Sequence, residues 1–131
     1  MTTPVISGDG IFSHVFIGAA DVEKSSAFYD VVLGTLGINN LGPFGNGWVL
    51  YGREKPAFII ARPGNGEAPS ANGVTVGFAA ATRKRLMLSM LPALPPVELM
   101  KSTWPAWSPS RAYAAYLRDP AGNKITAYTF I

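Results

Sequence analysis

Two stretches of the chain carry the same order of apolar and small residues. One runs from Ser13 to Asp21 and the other from Val74 to Thr82. Each is a short apolar run rich in strand-forming residues, followed by small residues and then by a residue suited to cap a helix. His14 and Thr75 hold equivalent places, 61 positions apart. The pattern predicts two copies of one supersecondary unit, packed with pseudo-twofold symmetry.

The pattern of the first unit predicts a helix directly after its first strand. Asp21 is a good N-cap, and Phe28, Val31 and Val32 recur at the spacing of one apolar helix face. The helix is expected to end at two glycines, Gly34 and Gly37.

Further strands are expected after this helix. The candidates are Trp48–Gly52 and Pro56–Arg62, with Gly-rich turns over residues 42–47 before them. Residues 63–73 then hold two prolines, three glycines and two asparagines, which is typical of a linker between the two units.

The second unit is less regular. Thr82 can cap a short helix that Pro92 would stop, and Pro95–Pro96 with the stretch Trp104–Pro109 are interpreted as an irregular aromatic loop. The unit closes with a strand over Ala112–Leu117, a turn at Asp119–Asn123 and a strand over Lys124–Phe130.

A shorter echo repeats the order Tyr-x-Arg-acid at Tyr51–Glu54 and at Tyr116–Asp119. We expect Arg53 and Arg118 to pair with neighbouring acids around turns. Their repetition argues for a structural role.

Composition narrows the class of protein. The chain has 131 residues, 48% hydrophobic and 15% charged, which favours one folded domain over a disordered chain. Its apolar runs fall far short of the roughly 18 residues that span a bilayer, and no signal peptide is visible, so we expect a soluble cytoplasmic protein. The net charge of +3 is spread along the chain apart from Arg83–Arg85, which disfavours nucleic-acid binding.

The motifs in these units resemble those of the vicinal oxygen chelate superfamily, which includes glyoxalase I, the bleomycin-resistance proteins and the extradiol dioxygenases. The resemblance rests on Ser13–Val15, on the run Asp21–Tyr29 that leads to Leu33 and Gly34, and on Tyr116–Ile125. It implies an α+β fold in which two βαβββ units form a curved sheet around a cup-shaped cavity. Residues 1–131 would form a single glyoxalase-like domain, with unit one at about 10–62, the linker at about 63–73 and unit two at about 74–131.

The same resemblance implies where metal-dependent members place their ligands. His14 matches the first of four positions, but the others hold Thr75, Thr126 and the apolar segment 58–60. A stable divalent site needs three or four imidazole, carboxylate or thiolate ligands, and the chain has one histidine and no cysteine. We therefore expect no cofactor and no usual metal site, while a divalent metal completed by other ligands stays open.

Each candidate site residue has two possible roles, one functional and one structural. His14 can act as a general base or hydrogen-bond donor in the cup, or it can be a strand residue that hydrogen-bonds Thr75, Thr126 or water. The crowded aromatic residues can line a pocket or lid, or pack in the core or a dimer contact. The predicted ligand-binding set is His14, Thr75, Thr126, Phe58, Ile60, Trp104, Trp107, Tyr113 and Tyr116.

These observations favour a homodimeric small-molecule-binding protein or divergent enzyme of the superfamily, and they leave open whether it catalyses a reaction. The alternative is a metal-dependent lyase or isomerase of the lactoylglutathione lyase type, with ligands completed across a dimer. A third possibility is a scaffold whose cup is filled by its own side chains, with Phe16, Phe58, Ile60 and Phe78 as the plug.

Overall fold

The computed structural model describes residues 9–81, 98–103 and 111–130, with only the backbone described for 98–103, 111–115 and 130. These residues form one helix and eight strands. In chain order they are β1 (Val15–Gly18), α1 (Val22–Thr35), β2 (Asn39–Phe44), β3 (Trp48–Gly52), β4 (Phe58–Ala61), β5 (Thr75–Ala79), β6 (Glu98–Thr103), β7 (Arg111–Arg118) and β8 (Lys124–Phe130). The described part contains no helix long and apolar enough to span a membrane.

The strands form two four-stranded sheets with the same topology. The first has the order β1-β4-β3-β2 and the second β5-β8-β7-β6. In each sheet the first strand of the unit runs parallel to the last, and the other pairs are antiparallel. The predicted α+β fold with a repeated unit is therefore confirmed, and the two sheets do not join into one closed sheet.

Helix α1 begins and ends as its sequence predicts. The Oδ1 atom of Asp21 accepts a hydrogen bond from the backbone N–H of Lys24, 3.1 Å away, which satisfies one free donor of the first turn. At the other end, Gly37 adopts a φ of 76°, a left-handed conformation that favours glycine. The helix expected after Thr82 lies outside the described residues.

Two strands were missed by the sequence pattern. Gly42 and Pro43, predicted as a turn, lie inside β2, and β6 lies between the two segments predicted as an irregular loop, where no strand is predicted. Strand β2 lies at a sheet edge, where Pro43 is tolerated, and its pairing with β3 shifts register between Asn40 and Gly42. Its sequence therefore lacks the alternation by which strands are recognised.

The core lies between α1 and the sheets. Tyr29, Leu33 and Ile60 are fully buried, and the Tyr29 ring meets that of Phe58 at 5.0 Å in an edge-to-face arrangement. Phe58 in turn meets Phe78 of β5 at 5.1 Å. The two units thus share one apolar core, whereas Phe16 is 42% exposed and lies outside it.

The turn before β8 is built around a buried carboxylate. Oδ1 of Asp119 accepts hydrogen bonds from the backbone N–H groups of Ala121 and Asn123. The Asn123 side-chain amide donates to Oδ2 of Asp119 and also to the carbonyl of Gly18, 2.8 Å away at the end of β1. This motif therefore connects the second unit to the first.

Candidate functional site

A cavity of about 930 Å³ lies beside β5, the residues leading into β1 and the segment that joins β3 to β4. Its volume is within the range of small-molecule sites. Apolar side chains form much of its wall, namely Phe12, Val15, Ile38, Ala57, Phe58, Val76, Phe78 and Ala79. The polar groups along it are few, and they come from His14, Arg53, Lys55 and Tyr128 among others.

His14 lies at this cavity, immediately before β1. Its side chain is exposed, and Nδ1 lies 2.9 Å from the hydroxyl of Ser13. That contact can hold the imidazole at the rim, with Nε2 available to a ligand.

The two threonines predicted to accompany His14 do not line the cavity. Thr75 is exposed and pairs with Lys124 across the sheet. Thr126 is 2% exposed, and its hydroxyl has no hydrogen-bond partner within the described part of the chain. The registers of the two sheets place Ile59 opposite Phe16 and Thr126 opposite Gly77, so Ile59 is the counterpart of Thr126 in the first unit.

The remaining predicted residues are distributed over the molecule. Phe58 lines the cavity, whereas Ile60 is fully buried in the core. The hydroxyl of Tyr116 lies 2.9 Å from that of Tyr128, which does line the cavity. Tyr113 lies on β7 opposite Thr129, where only the backbone is described, and Trp104 and Trp107 lie outside the described residues.

The predicted pairing of Arg53 with a neighbouring acid is wrong. Its Nη2 atom donates to the carbonyl oxygens of Leu36, at 3.1 Å, and of Ala79, at 3.5 Å, rather than to a neighbouring acid. Arg118 likewise donates from Nη1 to the carbonyl of Gly122, at 2.9 Å. The repeated Tyr-x-Arg-acid pattern draws attention to both arginines. It does not distinguish Arg53, which lines the cavity, from Arg118, which does not.

Gly52 fixes the position of Arg53. A Cβ atom at residue 52 would lie 1.8 Å from the carbonyl oxygen of Lys55, so only glycine fits where the chain folds back after β3. The backbone N–H of Ala57 then donates to the carbonyl of Tyr51, 2.8 Å away, and closes the loop.

Two tyrosines at the cavity have raised pKa values. Burial, followed by the hydrogen bond with Tyr116, raises the pKa of Tyr128 to about 12. Burial is also the main cause that raises the pKa of Tyr51, whose hydroxyl donates to Oδ1 of Asp30 at 2.8 Å. Both phenols are therefore protonated at neutral pH, and they present hydroxyl groups rather than negative charge.

The donor set does not fit the divalent metal site of metal-dependent superfamily members. His14 is the one strong ligand at the four expected positions, and a neutral threonine hydroxyl or an isoleucine side chain cannot supply the missing charge. Within the described ranges, no three His, Asp or Glu side chains are grouped so that they could hold a metal ion.

Comparison with known proteins identifies the family. The chain is 35% identical to a glyoxalase/bleomycin resistance protein from Albidiferax ferrireducens, with a TM-score of 0.73 over 92% of this chain and 99% of that one. It therefore belongs to the glyoxalase/bleomycin resistance protein family, within the vicinal oxygen chelate superfamily.

More distant structures share the fold. Lactoylglutathione lyase from Agrobacterium tumefaciens is 20% identical, with a TM-score of 0.62 over 94% of this chain and 95% of that one. An integron cassette protein from the mobile metagenome of Vibrio cholerae is 21% identical, with a TM-score of 0.62 over 95% of this chain and 98% of that one. No family model and no curated protein matched the sequence.

Proposed function

We propose that this protein binds a small, largely apolar molecule in the cavity beside β5, without the divalent metal site of metal-dependent superfamily members. The observation that carries the proposal is the cavity itself, with a volume of about 930 Å³ and walls that include Val15, Phe58 and Phe78. Removal of apolar ligand surface from water would supply most of the affinity, and the few polar groups would orient the ligand.

The chemistry of the cavity supports binding more strongly than it supports a particular reaction. His14 lines the cavity and is the residue type most often used as a general acid or base. A binding protein needs no such group, whereas acid–base catalysis at this site would use one. The proposal therefore includes a divergent enzyme as one form, with His14 as its acid or base.

A blocked-cavity variant tests the proposal. Ala57 is exposed and lines the cavity, while Ala27 is exposed on α1 and does not line it. A library of small apolar compounds is screened by thermal shift on metal-free protein, and hits are titrated by calorimetry against Ala57→Phe and the matched control Ala27→Phe. We expect hits whose affinity falls at least about tenfold in Ala57→Phe alone, since a steric block removes most of the buried contact. An absence of hits, or equal binding by both variants, would refute the proposal.

Metal content distinguishes the lyase alternative. Protein purified without chelators or an affinity tag is analysed for divalent metals, beside the His14→Ala variant. We expect no stoichiometric metal in either protein, because too few ligands are present at the expected positions. A stoichiometric ion that is lost in His14→Ala, together with lyase activity, would replace the present proposal with the metal-dependent one.

The expected homodimer is also part of this proposal. Phe16, Phe44 and Trp48 form a contiguous aromatic cluster, with Trp48 at 5.1 Å from Phe16 and 6.0 Å from Phe44 between ring centroids. All three are exposed, at 42%, 61% and 38%, which is typical of a contact surface. Sedimentation analysis should give a dimer for the unaltered protein and a monomer for a Phe44→Ser, Trp48→Ser variant. A monomeric unaltered protein would contradict the expectation.

A further inference from the structure

Arg53 is a charged side chain held at the cavity wall by backbone carbonyl groups. It is partly buried and it lines the cavity, and its two hydrogen bonds to described residues leave from Nη2 to the backbone carbonyls of Leu36 and Ala79. Nε is sealed from solvent and has no partner within residues that the structure describes. A guanidinium carries five N–H donors, and within the described residues the two contacts leave Nη1 unused, whereas the sealed Nε cannot reach a ligand.

Among the residues that the structure describes, Arg53 has carbonyl partners but no carboxylate partner. Along the cavity, Arg53 and Lys55 outnumber Glu54. A partly buried cation with unused donors is costly unless an anion reaches it.

We propose that Arg53 is the anion-binding residue of this cavity, and that the ligand class is an apolar molecule bearing one carboxylate, sulfonate or similar acidic group. This rests on the proposed function. A guanidinium already held by two carbonyls is pre-oriented, so less side-chain freedom is lost when an acidic group binds. The apolar walls at Val15, Phe58 and Phe78 would hold the remainder of the ligand.

Two dyes that share an aromatic body separate charge recognition from apolar burial. The anionic probe is 8-anilinonaphthalene-1-sulfonate, and its uncharged counterpart is N-phenyl-1-naphthylamine. Both are titrated by fluorescence against the unaltered protein, Arg53→Gln, Arg53→Lys and the matched control Arg118→Gln. Arg118 is exposed and does not line the cavity.

We expect Arg53→Gln to weaken the sulfonate dye about tenfold or more, because a charge-assisted hydrogen bond is lost, and to change the neutral dye less than about threefold. Arg53→Lys should lie between, since the charge remains without the planar donors. Arg118→Gln should change neither affinity. Loss of sulfonate binding in Ala57→Phe should accompany these results and locate the dye in the cavity.

The outcomes separate the two proposals. Equal loss of both dyes, or no loss, in a folded Arg53→Gln would overturn the role of Arg53 while cavity binding stands. Failure of both dyes to bind the unaltered protein would overturn the proposed function and this inference together. Failure of the sulfonate dye alone, or sulfonate binding that persists in Ala57→Phe, would overturn this inference while cavity binding of the neutral dye stands. Should Arg53→Gln not fold, the unaltered protein decides: its affinity for the sulfonate dye must fall with added salt while that for the neutral dye does not, and a shared salt dependence would refute the inference.

Discussion

The hydroxyl of Tyr29 donates a 2.6 Å hydrogen bond to Oδ2 of Asp119, ninety positions further along the chain. Both residues are buried, at 0% and 5% exposure. Tyr29 belongs to the helix motif and Asp119 to the turn motif on which the family resemblance rests. The bond shows that these motifs contact each other to join the two units, and neither of these two residues lines the cavity.

Substitution Tyr29→Phe should therefore lower the free energy of unfolding by about 2 kcal/mol. The buried Asp119 carboxylate would lose one of its donors, and hydrogen bonds to charged groups contribute about 1.5–3 kcal/mol. Urea unfolding followed by circular dichroism measures the change. Tyr51→Phe is the matched control, since its hydroxyl donates to an exposed carboxylate, Asp30, and the loss should be smaller. An equal loss in both variants would contradict the special role of Asp119.

Alkaline pH should destabilise the protein through its buried tyrosines. Burial raises the pKa of Tyr29, with Asp119 adding to the effect, and raises that of Tyr128 to about 12. Because the folded state holds these phenols protonated, their contribution is complete below the ordinary pKa of 10.0 and declines as pH rises above it, for Tyr128 through about 12. Thermal unfolding across this range should show the decline, and Tyr128→Phe should make it shallower. An unchanged slope in that variant would count against Tyr128.

Substitution Gly52→Ala should cost about 1–3 kcal/mol of stability, the usual penalty when an added methyl forces the backbone to shift. Its Cβ would meet the Lys55 carbonyl at 1.8 Å. Gly64→Ala is the matched control, because nothing lies within 4 Å of a Cβ there. Urea unfolding should distinguish the two. A near-neutral Gly52→Ala would show that the loop after β3 adapts, and would weaken the claim that it holds Arg53.

Arg118→Ala should lower thermal stability more than it lowers ligand affinity. Arg118 is exposed and its Nη1 donates to the carbonyl of Gly122, so the loss in stability should be below about 1.5 kcal/mol. Thermal unfolding and titration with the sulfonate dye give the two numbers from one preparation. A clear loss of dye affinity with unchanged stability would reverse the assignment of this residue.

Much of the fold could be predicted because local signals agree with the final structure. Asp21 caps α1 as expected, and β3 and β8 have the predicted bounds. Strand β2 could not be predicted, since Gly42 and Pro43 signal a turn and only pairing with β3 makes them extended. The residues of β2 show no alternation of apolar and polar side chains, so the pairing with β3 could not be recognised from their pattern.

The site was less predictable than the fold. His14 and Phe58 were expected at a pocket and line one, whereas Thr126 is buried on β8 and Ile60 belongs to the core. Arg53 was missed because its environment depends on two backbone carbonyls, Leu36 and Ala79, that lie in different elements. The sequence gives the side chains, but it does not show which backbone carbonyl groups the fold brings together.

Phe58 serves the interior and the cavity at once, since it packs against Tyr29 and Phe78 and also forms part of the cavity wall. A smaller residue there would widen the cavity, but it would also cost about 3–5 kcal/mol of packing. The rim formed by Lys55 and Ala57 is exposed and carries no such penalty. Over evolutionary time, substitutions that change ligand preference should therefore accumulate in the rim. Phe58 should change less, because the core also depends on its packing.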